Sequence, residues 1–205
     1  MLIQKTFKFR IYPNKEQKVL IAKSIGCSRF VFNHFLAEWN DTYKSTGKGL
    51  SYNECAGKLT QLKSHFTWRK EVDSTSLQQS LRHLDQAFKR FFKKQNRHPK
   101  FKSKRNPSQS YKTVGKIKVN ENHLFLPKLG WVRFAKSREI SGRIINATIR
   151  RTANGKFYIA ILAETEVEHL PKTGSIVGID VGLKEFATLS DETIYKNSRY
   201  FRSME

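Results

Sequence analysis

Near the C-terminal end of this 205-residue chain, "SIVGIDVGLKEFATLSDE" sets one carboxylate, Asp180, inside an apolar strand between Gly178 and Gly182. The glycines leave room for another backbone to come close, and a carboxylate projecting there is suited to holding Mg²⁺. The chemistry such a group could serve is phosphodiester cleavage, which needs several carboxylates around paired cations. Further candidates are Glu185, Asp191, Glu192 and Glu205. Glu185 and Asp191 flank a hairpin, and none of the four lies on a later element that folds back beside Asp180. A structural aspartate, hydrogen-bonded at a strand end, is the other reading.

A second set of residues is suited to nucleic acid. Lys and Arg number 39 against 17 Asp and Glu, a formal net charge of +22 that repels itself unless a polyanion is bound. The excess is clustered. Between Gln86 and Asn120 there is no acidic residue, while Lys89, Arg90, Lys93, Lys94, Arg97, Lys100, Lys102, Lys104, Arg105, Lys112, Lys116 and Lys118 are basic. Lysines and arginines neutralise phosphates and release counterions. Gln78, Arg82, Lys89 and Lys93 share one face of a helix, and a glutamine can read an adenine edge. Phe101 and Tyr111, interleaved with the basic residues, could stack on bases or ribose.

The elements that must position these groups follow from periodicity. Phe7, Phe9 and Ile11 alternate with Lys8 and Arg10, which predicts a half-buried strand stopped by Pro13, with Asn14 placed to cap a helix. Leu20, Ile21 and Ile25 predict a short helix ending near Gly26. Val31, Phe35, Trp39 and Tyr43 recur at steps of four in a second. Ser51 and Glu54 form a capping box for a third. Ser74 or Thr75 opens a fourth, long helix carrying Leu77, Leu81, Leu84, Phe88, Phe91 and Phe92. Pro99 and Pro107 then forbid helix, so residues 96–113 read as an extended basic connector. Strands follow around Ile117 and Val119, Leu124 and Leu126, and Trp131 to Phe134. A hairpin spans Ile144 to Glu164 about a type I′ turn at Asn154-Gly155. Residues 169–174 are a linker, and Phe186 to Leu189 pairs with the Asp180 strand. The lone first strand pairs most simply with the later ones, making the helices an insertion into one β domain. The fold class is α+β.

Taken together, these segments resemble the TnpB family, the OrfB-type transposon-encoded RNA-guided DNA endonucleases. The resemblance rests on "FRIYPNKEQ" (Phe9 to Gln17), "SRFVFNHFLAEW" (Ser28 to Trp39), "LQQSLRHLDQAFKRFF" (Leu77 to Phe92), "PKFKSKRNPSQSYKT" (Pro99 to Thr113), "LFLPKLGWVRF" (Leu124 to Phe134) and "GIDVGLKEFATLSD". It implies a wedge-like β-barrel (1–13 and 108–170), a helical recognition insertion with the basic connector (14–107) and the start of a RuvC-like, ribonuclease-H-like nuclease domain (175–205). Apolar–Asp–Gly strands also occur in sugar kinases and other actin-like ATPases. It further implies a guide RNA from the transposon end and a double-stranded DNA target as partners. Tyr52, Gln78 and Thr113 match positions that read a short motif beside that target, while Ser74 falls where relatives can carry a lysine. Arg82, Lys89, Lys93, Lys100, Lys102, Lys104, Arg105 and Lys112 are the expected backbone contacts. Asp180 matches the first catalytic carboxylate and would bind Mg²⁺ in a completed site.

The family's later carboxylates and zinc cysteines have no counterpart here, so the expectation is a nuclease cut just after its first RuvC motif, binding without cleaving, with no zinc. "NSRYFRSME" would be the start of the family's next helix, and residues after about Gly174 should be poorly ordered or dock elsewhere. An active nuclease completed by a separate C-terminal chain and a guided DNA-binding repressor are the alternatives. Composition bounds the rest. Hydrophobic content of 38% supports a packed core, and Cys27 and Cys55 form no CxxC pair and look like buried small hydrophobes. No run is long and apolar enough for a membrane span, and no signal core precedes Pro13, so a cytoplasmic protein without a membrane partner is expected.

Overall fold

A computed structural model describes residues 1–65, 71–168 and 174–199. The chain divides into two units, Met1–Val167 and Glu168–Glu205. The first begins with β1 (Leu2–Tyr12), continues through α1 (Lys15–Thr46), α2 (Tyr52–His65) and α3 (Ser74–Phe92), and returns to strands: β2 (Gln109–Thr113), β3 (Lys118–Asn120), β4 (His123–Leu126), β5 (Gly130–Phe134), β6 (Arg143–Arg151) and β7 (Phe157–Glu166). All seven strands form one antiparallel sheet in the order β2-β6-β7-β1-β5-β4-β3. β1 runs the length of β7, from Leu2 opposite Glu166 to Ile11 opposite Phe157.

Alternation decides which face is buried. Phe7, Phe9 and Ile11 of β1 point the same way as Phe157, Ile159, Ile161 and Ala163 of β7, and with Ile149, Val132, Phe134 and Leu124 they make one core. Ile21 and Ile25 of α1 close that core. One turn further on, α1 changes partners. Val31, Phe32, Phe35, Leu36 and Trp39 belong to a second core with Leu59 of α2 and Leu77, Leu81, Leu84 and Phe88 of α3. Trp39 stacks on Phe88 with ring centroids 3.8 Å apart. A single helix thus joins a sheet core to a helix core.

That helix corrects the sequence reading. The first two expected helices are one, so the described residues hold three α-helices. Gly26 is an interior helix residue whose conformational cost is about 1 kcal/mol. Its buried neighbours Ile25 and Cys27 pack on either side and hold the helix through it. The start is as expected: Asn14 Oδ1 accepts from Gln17 N at 2.8 Å, and Gln17 Oε1 accepts from Asn14 N at 3.0 Å. The Gln17 amide also donates to Trp131 O at 2.8 Å, tying the helix start to the β4–β5 hairpin. Ser51 and Glu54 cap α2, with Ser51 N donating to Glu54 Oε2 at 2.7 Å. For α3 the cap is Asp73 rather than Ser74 or Thr75.

The sheet is open in its hydrogen bonding and not a closed barrel: β2 and β3 are its two edges. β3 is only three residues long, and β2 contacts α1 and α3. β2 itself lies inside the segment read as an extended connector. The β6–β7 turn also differs from expectation. Gly155 has φ +74, but Asn154 does not take a left-handed conformation, so no type I′ turn forms. Gly155 N donates to Thr152 O at 3.0 Å and Thr152 N to Lys156 O at 3.0 Å, a type I turn followed by a left-handed glycine.

The second unit holds β8 (Ile179–Asp180), β9 (Glu185–Leu189) and β10 (Ile194–Lys196), a three-stranded antiparallel sheet that contains the expected pairing of Phe186 to Leu189 with the Asp180 strand. Residues 169–173 of the expected linker and 200–205, including Glu205 and most of the expected next helix, lie outside the described residues.

Candidate nucleic-acid interface and the Asp180 strand

On α3, Gln78 and Arg82 are both exposed and one helical turn apart, so they share a face. Tyr52, the first residue of α2, is half-buried against the helix core, and the Arg82 guanidinium lies 4.9 Å from its ring centroid. The capping box therefore has a second effect: by fixing the start of α2 it fixes Tyr52 beside Arg82. The stack holds the guanidinium in place while leaving its N–H edge for an acceptor. Lys89 continues the stripe but pairs with Asp85 at 2.8 Å. Lys93 caps α3 and is exposed.

Thr113 is placed differently from the motif-reading role expected of it. It is 2% exposed. Its hydroxyl donates to Asp73 Oδ2, which also accepts from the Thr75 hydroxyl, while Asp73 Oδ1 accepts from Thr75 N at 3.1 Å. Val114 N donates to Thr75 Oγ1 at 3.1 Å. Thr113 thus ties β2 to the start of α3 and has no exposed hydroxyl to offer a base. Tyr111 is corrected for the same reason. It is 6% exposed in the sheet core, and burial, with Asp73 nearby, pushes its phenol pKa up. Phe101, in contrast, is 60% exposed and open to stacking.

The connector carries Lys100, Lys102, Lys104 and Arg105, all exposed. What holds it is a residue the sequence reading passed over. Asn33 on α1 accepts from Lys102 N at 2.8 Å and donates to Lys102 O at 2.9 Å, pairing with the connector as a neighbouring strand would. The Lys102 ammonium then sits 4.0 Å from the Phe32 ring centroid, and partial desolvation there pulls its pKa below the usual lysine value. Lys112 on β2 is half-buried. Asn33 and Arg29 are four residues apart on a helix otherwise rich in apolar positions, and that interruption was the available signal. Cys55 is buried and its thiol is pushed up to about 11, chiefly by burial, so it stays protonated.

Asp180 does not sit in a buried strand. β8 is two residues long, and both are exposed; Ile179 is 65% and Val181 68% exposed. Asp180 lies opposite Thr188 on β9. Asp191 accepts from Thr193 N at 3.0 Å, a turn contact that lowers its pKa. Among the described residues no three His, Cys, Asp or Glu side chains gather closely enough to hold a metal ion. The described residues around Asp180 therefore do not by themselves fit the Mg²⁺ site implied by the resemblance. Among the described residues no helix is long and apolar enough to cross a membrane.

Residues 1–48 match the OrfB IS605 family model described as a helix-turn-helix domain. In this structure that stretch is β1 followed by one unbroken helix. The chain is 36% identical over 200 residues to the putative RNA-guided DNA endonuclease InsQ of Escherichia coli K12, covering 96% of this chain and 50% of that protein. It is 29% identical over 206 residues to a putative RNA-guided DNA endonuclease of Streptomyces pristinaespiralis, covering 98% and 51%. Over nearly its whole length the chain is thus similar to TnpB-like proteins of this kind. It spans about half the length of the curated relatives it matches. Among solved structures, a Cas12f1–sgRNA–target DNA complex aligns with a TM-score of 0.40 at 14% identity, over 98% of this chain and 59% of that one.

Proposed function

We propose that this polypeptide binds a guide RNA and double-stranded target DNA and does not cut the DNA unaided. The observation that carries this reading is the exposed Gln78–Arg82 face with Tyr52 stacked beside it, adjoining a stretch from Gln86 to Asn120 that holds twelve basic residues and no acidic one. Gln78 and Arg82 read base edges of a short motif beside the target, and Tyr52 fixes the angle of Arg82. Lys93, Lys100, Lys104 and Arg105 contact phosphates. Thr113 serves as a positioning residue through Asp73. Asp180 is the first of the carboxylates a two-cation nuclease site requires, and cleavage waits on others being brought beside it. Relatives carrying the RNA-guided endonuclease name support the choice of partners.

The test is co-purification with the native flanking DNA, sequencing of bound RNA, and a Mg²⁺-dependent cleavage assay on a matching target. Bound RNA with guided DNA binding and no cut is the expected result. Cleavage by the purified chain alone overturns the second half of the proposal, and the absence of any bound nucleic acid overturns the first. Gln78→Ala and Tyr52→Ala should each reduce discrimination of the motif by about 1–3 kcal/mol while total binding falls less. Equal loss on every DNA sequence would sink the motif-reading role.

A further inference from the structure

A cleft of about 190 Å³ opens where α1, α3, the connector and β2 meet. Arg29 and Ser28 enter it from α1, His83 from α3, Lys102 from the connector and Lys112 from β2, and no carboxylate among the described residues lines it. Among the described residues, no ion pair engages Arg29, Lys102, Lys112 or His83. Positive groups are thus gathered in a partly dry hollow with no carboxylate among the described residues paired to them. A second feature points the same way. Ser28 is 5% exposed, and its Oγ is the one buried side-chain oxygen or nitrogen among the described residues with no hydrogen-bond partner. A buried hydroxyl left unpaired costs about 1–3 kcal/mol, and an acceptor arriving in the cleft would remove that cost. His83 also lines a second cleft with Gln86, Arg90 and Asn96, so the acid-free track continues along α3.

We propose that this cleft is a phosphate subsite for the backbone of a bound nucleic-acid strand, with Arg29, Lys102, Lys112 and the Ser28 hydroxyl as its donors and His83 at the junction with the second cleft. The proposal rests on the nucleic-acid reading above and adds a site on the α1–β2 side of α3, apart from Tyr52 and Arg82. A phosphodiester fits the donor set because its oxygens accept from guanidinium, ammonium and hydroxyl together. The continuation toward Arg90 favours a strand over an isolated ion. Burial and then the charges of Lys102 and Lys112 lower the His83 pKa. Seating an anion among Arg29, Lys102, Lys112 and Arg90 favours the protonated ring, so binding draws a proton onto His83.

The test uses the full chain and two probes: inorganic phosphate at constant ionic strength, and a short oligouridylate with either a normal or an uncharged methylphosphonate backbone. The His83 ring is followed by NMR. Phosphate should raise its pKa by at least about half a unit. Arg29→Gln and Lys112→Gln should each weaken binding of phosphate and of the normal oligonucleotide about tenfold. Ser28→Ala should weaken both about threefold without lowering thermal stability. Lys156→Gln, on the β6–β7 turn, should leave phosphate binding unchanged, and the methylphosphonate strand should not move the His83 signal. Oligonucleotide binding at full strength in Arg29→Gln and Lys112→Gln, with a silent His83, overturns the subsite and leaves the proposed function standing. Phosphate binding with the expected variant pattern, but no displacement by the oligonucleotide, assigns a free-anion site and overturns the strand assignment.

Discussion

β7 and the Asp180 strand are written in similar residues and end up in opposite environments. Phe157, Ile159, Ile161 and Ala163 alternate along β7 and are 8% exposed or less. Val177, Ile179 and Val181 alternate in the same way and are 47%, 65% and 68% exposed. In the first unit, β1 and β6 flank β7, and Ile21 and Ile25 close the face. In the second, Ala187 is the one buried hydrophobic residue among those described. Alternation states which face of a strand seeks cover, and the cover itself is supplied by other elements.

The sharpest way to break this comparison is to truncate a side chain in each unit. Phe134→Ala should cost about 3–5 kcal/mol in urea unfolding, because its ring is buried and packs edge-on against Phe9 at 5.2 Å. Ile179→Ala should cost less than about 0.5 kcal/mol. Equal costs would mean the second unit has a core the structure does not contain. Next in size, Asp73→Ala should cost about 2–3 kcal/mol, since it removes the cap of α3 and leaves the buried Thr113 hydroxyl only the Thr75 hydroxyl as a partner. Thr113→Val should cost clearly less, as it deletes the donor and keeps the shape.

A smaller effect concerns the connector. Asn33→Ala should cost about 1 kcal/mol and speed proteolysis near Lys102, because the paired hydrogen bonds hold that segment. Acid should then separate the units by direction alone. The folded His83 pKa lies below 6.5, so the unfolded chain takes up a proton that the native ring refuses. Stability of the first unit should fall as pH drops below 6.5, and His83→Gln should flatten that slope. The described residues of the second unit contain no histidine and should lack this term. The smallest effect is expected from Asp180→Asn: no measurable change in melting temperature or nucleic-acid affinity. A large loss of affinity would give the aspartate a binding role in this chain.

Where the residues act on their near neighbours, the sequence was readable. Asn14 with Gln17, Ser51 with Glu54, the run of α3 to Phe92 and the alternation of β7 all depend on spacing within a few residues. The errors fell where distant segments decide. Gly26 looked like a helix end because the pattern of apolar residues changes there, yet the change marks α1 passing from the sheet core to the helix core. Asp73 caps α3 in place of the serine and threonine that follow it, held by a threonine forty residues away. Thr113 and Tyr111 looked available because β2 was read as connector, and it is the docking of β2 on the helices that buries them. Arg29, Asn33 and His83 lie on elements predicted for their apolar faces, and only the packing of the connector against α1 gathers them.

The pairing of β1 with β7 has a consequence for how the protein is made. Leu2 lies opposite Glu166, and Met1 and Val167 exchange backbone hydrogen bonds, so the first strand is completed by one of the last segments of its unit to be synthesised. At about 5–20 residues per second, β1 waits on the order of 8 to 30 seconds on the ribosome for its neighbour. Until β5 reaches Ile11 and β7 covers the rest, Phe7, Phe9 and Ile11 belong to an open strand that any other nascent strand could join. Lys8 and Arg10, set between them, give the waiting strand its resistance to wrong partners.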